Sequence, residues 1–246
     1  YALNAVSFLA VIASLLLLGL AMLAGFWLQT IRLRYTTPAR PGFLTGLSVV
    51  IVPFVARFLL GRRGRLASWG GVALAVAGLL VLTRPFGEAV AAEVRLGDLL
   101  TFGCALAFAF QVVFTGEWSH RHPLAPFVAV QVAVMLLGAL ASIAIEGPRL
   151  APAAPARFAA IVAFTGVAMT AVAFFVMNWA QRHTSAVRAA LIYSLEPVTA
   201  ALFSAWYWGE PLGPWELAGG GLIVLGVLLG ELGGALEARA VPAPPA

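Results

Sequence analysis

The sequence predicts an all-α integral membrane protein, a helical bundle of two inverted five-helix repeats, and three observations support this prediction. First, 62% of the 246 residues are hydrophobic and only 10% are charged, with a mean hydropathy of +0.97, whereas a soluble domain carries about a quarter charged residues. Second, eight apolar stretches are long enough to cross a bilayer as helices. Third, a shift of 148 residues, which brings Gly71 onto Gly219, aligns one half of the chain with the other.

The eight stretches, named spans A to H, follow from the need for about 20 apolar residues per membrane helix. Spans A to D cover Asn4–Ile31, Ala39–Leu60, Leu66–Leu82 and Leu96–Trp118, and spans E to H cover Ala125–Ile145, Phe158–Gln181, Ser185–Trp208 and Trp215–Leu232. The segments between them are too short to hold a soluble domain. Because each span must satisfy its own backbone hydrogen bonds in lipid, we expect helices throughout.

The composition also disfavours several classes of protein. There is too little polar surface for a soluble enzyme or a disordered chain, and the single cysteine, Cys104, cannot form an internal disulfide. The basic residues are all arginines, and they stand in small groups between apolar stretches. This placement is typical of helix ends at a membrane surface, so we expect the lipid bilayer as the surroundings and no nucleic-acid partner.

The internal repeat relates spans A, B and C to spans F, G and H. It pairs Thr36 with Thr184, Arg40 with Arg188, Gly61 with Gly209, Gly71 with Gly219 and Gly78 with Gly226. One repeat therefore contains five helices, and because five is odd the second copy enters the membrane inverted. Inverted repeats that enclose a substrate site near the midplane are a recurrent transporter architecture.

The repeat also predicts the domain organisation. Residues 1–95 are expected to hold the last three helices of an N-terminal repeat, and 96–235 the five helices of a C-terminal repeat. Residues 236–246 are expected to form a disordered tail. On this prediction the complete fold has ten helices, of which eight are in this sequence and the first two are missing.

Equivalent loops of inverted repeats should lie on opposite sides of the membrane and differ in charge. The loop between B and C contains Arg62, Arg63 and Arg65, whereas its counterpart between G and H contains Glu210 and Glu216. We therefore expect the B–C, D–E and F–G loops and the C-terminus to be cytoplasmic.

Several motifs resemble the EamA branch of the drug/metabolite transporter (DMT) superfamily. The most specific stretch is Arg-His-Thr-Ser-Ala-Val-Arg-Ala-Ala-Leu-Ile-Tyr-Ser-Leu-Glu-Pro at 182–197, followed by Trp-Gly-Glu-Pro-Leu at 208–212. Residues 35–47 are similar to the corresponding part of the family's first half, and Gly-Asp-Leu-Leu at 97–100 looks like the opening of its second repeat.

This resemblance implies ten helices in a bacterial inner (plasma) membrane and secondary active transport of small metabolites by alternating access. The implied substrates are amino acids, related compounds or small drugs, and the implied direction is export. One alternative is an integral membrane enzyme acting on lipid-like substrates, which would need a cluster of His, Asp or Glu near a membrane surface. A membrane protein with only an assembly role is a further alternative.

Glu196 is the one ionisable residue far inside a span, and a charge at that depth costs a few kcal/mol on insertion scales. It could contact a cation or carry a proton that couples transport to a proton gradient. The alternative is a buried, hydrogen-bonding structural link beside Pro197, whose ring disrupts helical hydrogen bonding.

Other polar and aromatic side chains recur at helical spacing in spans A, B, D, F and G and could line a central path. With Glu196, the candidate substrate-binding residues are Trp27, Gln29, Thr45, Ser48, Phe108, Gln111, Thr115, Asn178 and Tyr193. Each polar residue could instead hydrogen-bond between helices and hold them together. No catalytic residue, cofactor or metal site is expected: there is no Walker A sequence, and His120, His122 and His183 fall in loops without further ligands nearby. The oligomeric state is not predicted.

Overall fold

The computed structural model describes residues 2–32, 48–62, 66–83, 92–146, 155–209 and 211–240. All regular structure in these ranges is helical. The α-helices are α1 (Ala2–Arg32), α2 (Ser48–Leu60), α3 (Leu66–Thr83), α4 (Ala92–Trp118), α5 (Leu124–Glu146), α6 (Pro155–Phe164), α7 (Ala173–Gln181), α8 (Ala186–Tyr193), α9 (Glu196–Trp208) and α10 (Pro214–Ala240). A 3₁₀ turn occupies Ser119–Arg121, and a π-helical segment, Thr165–Val172, joins α6 to α7.

These helices confirm the predicted all-α membrane fold. Six helical segments of the described chain are long and apolar enough to cross a membrane, and α2 and α3 are shorter apolar helices. Spans F and G differ from the expected single α-helices, since F contains the π-helical segment and G divides into α8 and α9. Residues 236–240, expected in a disordered tail, continue α10, and 241–246 lie outside the described residues.

The chain divides into two compact units, and the division passes through α1 and α4. Unit 1 contains 1–24 and 114–184, and unit 2 contains 25–113 and 185–246. In unit 1, α1 packs closely on α5 because small residues face branched ones. Gly19 lies against Val134, and Gly138 lies against Leu23, with no room for a side chain at either glycine.

Unit 2 is built around the crossing of α3 and α10. A Cβ added to Gly71 would lie 2.5 Å from the carbonyl oxygen of Gly226, and one added to Gly78 would lie 2.5 Å from that of Gly219. The reverse contacts are equally close, at 2.6 Å from Gly226 to the Gly71 oxygen and 2.7 Å from Gly219 to the Gly78 oxygen. Only glycine allows two helix backbones to approach in this way.

These contacts have the two-fold relation expected of inverted repeats. The shift of 148 residues converts Gly71 into Gly219 and Gly78 into Gly226, so each of the two glycine pairs becomes the other with its partners exchanged. A two-fold axis requires this reciprocity: if residue i contacts j, the equivalent of j contacts the equivalent of i.

Helices α2 and α9 obey the same shift. Their last residues, Leu60 and Trp208, are 148 positions apart. Each helix is followed by a glycine in the left-handed region, Gly61 with φ 64° and Gly209 with φ 69°, a conformation that favours glycine at a helix C-terminus. The backbone therefore repeats in its helix ends as well as in its contacts.

Two apolar clusters in unit 2 fix the helices around this crossing. The first joins α2, α4 and α8 through Val52, Val55, Ala56, Ala109, Val112, Val113, Ala189 and Ala190. The second joins α2, α3, α8 and α10 through Val49, Val72, Ala75, Leu191 and Val227. Helix α8 contributes to both clusters, so it is the element of span G that is held most firmly.

We predict that Gly226→Ala destabilises the protein by about 1–3 kcal/mol, because the new methyl group meets backbone atoms of α3 that cannot rotate away. The matched control is Gly221→Ala on the same helix, where a Cβ meets nothing within 4 Å and stability should stay the same or rise by up to about 1 kcal/mol. Thermal unfolding of both variants in detergent measures the difference. Equal midpoints for the two variants would contradict the close crossing.

Candidate functional site

The break between α8 and α9 lies in the middle of span G, and Pro197 explains it. Proline has no N–H and is tolerated in the first turn of a helix but not in its interior. Pro197 occupies the first turn of α9, and α8 ends at Tyr193. Between them the N–H of Leu195 donates to the carbonyl of Ile192 at 3.0 Å. The chain therefore tightens for one turn and starts a new helix within the span.

Glu196 is the first residue of α9, and its side chain is exposed. The positive end of the helix dipole favours a carboxylate at this position. The hydroxyl of Thr199 donates to the backbone carbonyl of Glu196 at 2.8 Å. Among the described residues no side chain covers Glu196, which fits the functional interpretation better than that of a buried structural link. An exposed carboxylate at a helix break is chemically able to bind a cation or a proton.

Tyr193 and Ser194 lie on the other side of the break. Tyr193 is half-buried and packs against the cluster that joins α2, α4 and α8. Ser194 is buried, and its hydroxyl donates to the carbonyl of Leu191 at 2.5 Å. The residues before the break are thus held in place, whereas no side chain of α9 is buried.

The candidate residues of α1 and α4 include an aromatic contact. Phe108 packs edge-on against Phe26 with ring centroids 5.3 Å apart. This approach depends on Gly25, since a Cβ there would lie 2.7 Å from the Phe108 ring. Trp27 is 47% exposed and Gln29 is half-buried, so both side chains keep an accessible surface.

Gln111, Thr115 and Asn178 are fully or almost fully buried, with 2%, 0% and 0% of their surface exposed. The amide of Asn178 donates to the carbonyl of Phe174 at 2.7 Å and accepts from Nε2 of Gln131 at 3.3 Å. Nε2 of Gln131 also lies 3.3 Å from the carbonyl of Phe127. In this structure Asn178 therefore links α7 to α5, which is the interhelical role left open for it by the sequence.

The ten candidate residues are distributed between the two units. Trp27, Gln29, Ser48, Phe108, Gln111, Tyr193 and Glu196 belong to unit 2, and Thr115 and Asn178 belong to unit 1. Ser48 is half-buried at the start of α2. Thr45 lies outside the described residues.

Sequence reasoning did not single out Gln131, although a signal was present. Between Leu124 and Gly138 it is the only residue of α5 with a polar side chain. An isolated amide in an otherwise apolar span usually faces another helix, because lipid offers it no hydrogen-bond partner. Its contact with Asn178 is of this kind.

We predict that Gln131→Leu and Asn178→Leu each destabilise unit 1 and that their effects are coupled by about 0.6 kcal/mol, the mean for interhelical hydrogen bonds in membranes, and by no more than about 1.7 kcal/mol. A double-mutant cycle by unfolding in mixed detergent measures the coupling. Ser142→Ala is the control, since the Ser142 hydroxyl donates only to its own helix, at the carbonyl of Gly138. Additive effects of the two leucine substitutions would show that the amides do not interact.

Comparisons with known proteins agree with this architecture. Residues 95–230 match the sequence profile of the EamA-like transporter family. An uncharacterized transporter of Archaeoglobus fulgidus is 30% identical over 216 residues, which cover 87% of this chain and 67% of the relative. A protein of known crystal structure is 21% identical in sequence, and the two structures superpose with a TM-score of 0.76 over 94% of this chain and 78% of the other. This similarity shows a shared fold. The chain therefore belongs to the EamA-like transporter family.

Proposed function

We propose that this protein is a secondary active transporter that exports small metabolites, such as amino acids, related compounds or small drugs, from the cytoplasm. It works in a bacterial inner membrane, with its C-terminus cytoplasmic, by alternating access between two inverted repeats. Membership of a transporter family supports transport rather than catalysis. The observation that carries the mechanism is the exposed carboxylate of Glu196 at a helix break in the middle of a span.

The proposed chemistry at this point is proton coupling. A carboxylate inside a membrane is costly, and such groups commonly mark ion pathways or proton relays. When Glu196 releases its proton, the resulting charge attracts a cationic group, and when it binds a proton that attraction is lost. Binding of proton and substrate at one carboxylate makes the two compete, which is a simple way to couple their opposite movements.

The proposed movement uses the difference between the two halves of span G. Helix α8 is anchored by buried Ala189, Ala190 and Leu191, and Arg188 Nε lies 3.9 Å from Glu231 Oε1 of α10. Helix α9 has no buried side chain. A rotation at residues 194–195 would therefore move α9, with Glu196 at its start, while α8 stays against the core.

Within this proposal the other candidate residues shape the substrate path. Trp27, Gln29, Phe108 and Tyr193 offer aromatic and amide surface, and Ser48 stands at the position of the first repeat that corresponds to Glu196. Thr45 and Gln111 complete the proposed set, whereas Thr115 and Asn178, which are fully buried in unit 1, stay predictions from the sequence. Within the described residues there is no group of three or more His, Cys, Asp or Glu that could hold a metal ion, and nothing there favours the alternative of an integral membrane enzyme acting on lipid-like substrates.

We predict that Glu196→Gln reduces proton-driven export at least about tenfold and removes its pH dependence, because the amide cannot carry the proton. The measurement is efflux from proteoliposomes under an imposed pH gradient, with a panel of amino acids and amphipathic cations. Glu196→Asp should keep the pH dependence. Glu216→Gln, at an exposed acid of the first turn of α10, is the matched control and should behave as the unmodified protein. Unchanged export and pH dependence in Glu196→Gln would rule out the coupling role.

We also predict that Pro197→Ala lowers the rate of export several-fold without lowering the unfolding temperature. The alanine restores an N–H in the first turn of α9 and allows α8 and α9 to join as one helix. Amide hydrogen exchange across 190–200 reports the closure of the break, and proteoliposome efflux reports the rate. Faster or equal export with a closed break would contradict the hinge.

A further inference from the structure

One end of unit 1 brings together three helix ends, at a place that the proposed transport mechanism does not use. Helix α4 ends at Trp118, α5 begins at Leu124, and α7 ends at Gln181. Arg182 follows α7 directly, and its Nη2 donates to the carbonyl of His122, two residues before α5. We call the group formed by Ser119, His122, Arg182 and the start of α5 the Arg182 corner.

The guanidinium of Arg182 carries a charge that the described residues leave without a carboxylate partner. Glu117, the acid near the end of α4, forms an ion pair with Arg121 at 2.7 Å. Nε of Arg182 is buried and has no hydrogen-bond acceptor in the described part of the chain. A buried N–H of a charged group without an acceptor costs more than most unmade hydrogen bonds, so an acceptor at this position would be favourable.

A second donor of the Arg182 corner is also unused. Ser119 precedes His122 by one turn, and its side chain is fully buried. Its hydroxyl oxygen has no hydrogen-bond partner among the described residues. Buried hydroxyls are normally paired, which makes Ser119 an independent indication of a ligand at this end of unit 1.

The start of α5 adds a third favourable element. The first N–H groups of an α-helix have no acceptor within the helix, and the helix dipole places partial positive charge there. Pro123 and Pro126 have no N–H, so Leu124 and Ala125 provide the backbone donors. The first turn of α5 contains no acidic residue that could neutralise this end.

We infer that the Arg182 corner binds a phosphate group, either the phosphodiester of an anionic lipid or free inorganic phosphate. A guanidinium beside a helix N-terminus suits phosphate, because its oxygens can accept from the guanidinium fork, a hydroxyl and backbone N–H groups at once. The corner lies where membrane helices end, which is the level of lipid headgroups. Its ligand would brace the α4–α5 turn against the end of α7.

The test is ligand binding to the purified full chain in neutral detergent, measured as the rise of the unfolding temperature with ligand concentration. The probes are dioctanoyl phosphatidylglycerol, inorganic phosphate at constant ionic strength, and dioctanoylglycerol, which has the same acyl chains without phosphate. The variants are Arg182→Gln, Arg182→Lys and Ser119→Ala. Arg121→Gln is the matched control, because Arg121 belongs to the same turn as Ser119 and already has a carboxylate partner.

We expect phosphatidylglycerol, phosphate or both to stabilise the unmodified chain and dioctanoylglycerol to have no effect. Arg182→Gln should weaken binding at least about tenfold, in keeping with the loss of charged hydrogen bonds, and Ser119→Ala about threefold. Arg121→Gln should change it less than about twofold. Stabilisation by phosphatidylglycerol alone would identify a lipid headgroup as the ligand, and stabilisation by both probes a site for the phosphate group itself.

Three results would overturn the inference. They are stabilisation by neither phosphate-bearing probe, equal stabilisation by dioctanoylglycerol, and equal weakening by Arg182→Gln and Arg121→Gln, which would indicate only diffuse surface charge. If Arg182→Gln does not fold, Arg182→Lys and Ser119→Ala decide: unaltered binding in both would also overturn it. Because no transported substrate enters this assay, its outcome is independent of the proposed transport function.

Discussion

The rest of unit 2 depends on the close crossing of α3 and α10. Because Gly71 and Gly226 bring the two backbones into contact, the neighbouring surface of α10 is free to receive α8. There Gly230 leaves room for the side chain of Leu191, which is fully buried between α8 and α10. In a bilayer, where apolar surface gains little by leaving lipid, such backbone proximity and interlocking side chains are what hold helices together. The packing of α8, which precedes the break that Pro197 causes, therefore depends on a glycine of α10.

In both span F and span G, one half of the span has buried side chains and the other half has none. In span F, α7 buries Asn178 and Gln181, whereas the π-helical segment has no buried residue. In span G, α8 is buried and α9 is not. The halves with buried side chains, α7 and α8, are the two that stand next to residues 182–185 along the chain. π-helical turns and proline breaks both weaken the regular pattern of helical hydrogen bonds. In each span this irregularity lies directly beside the helix that has buried side chains.

Much of this fold could be predicted from the sequence, since lipid allows so few backbone solutions. Hydropathy located the spans, and the register of Gly71 with Gly219 revealed the repeat before any contact was known. The sequence does not predict the break in span G, because Pro197 is compatible with either a kink or a break in a membrane helix. The π-helical segment has no local signature in 165–172. The amide pair of Gln131 and Asn178 depends on which faces meet in three dimensions, and hydropathy cannot supply that information. Thr45 lies outside the described residues, so its place among the candidate substrate-binding residues stays a prediction.

The two repeats are similar in backbone structure but differ in the side chains at equivalent positions. Helices α2 and α9 end at equivalent positions, yet the position that Glu196 occupies in α9 is occupied by Ser48 in α2. A symmetric backbone allows either repeat to adopt the conformation of its counterpart, which is the physical basis of the alternating access that we propose. Two carboxylates at symmetric positions would repel each other and release their protons at different pH values. With a hydroxyl on one side, the charge belongs to one repeat alone, and the proposed coupling would involve a single proton at a single carboxylate. In the proposed mechanism, access thus depends on the symmetry of the backbone, and coupling depends on the side chains that break it.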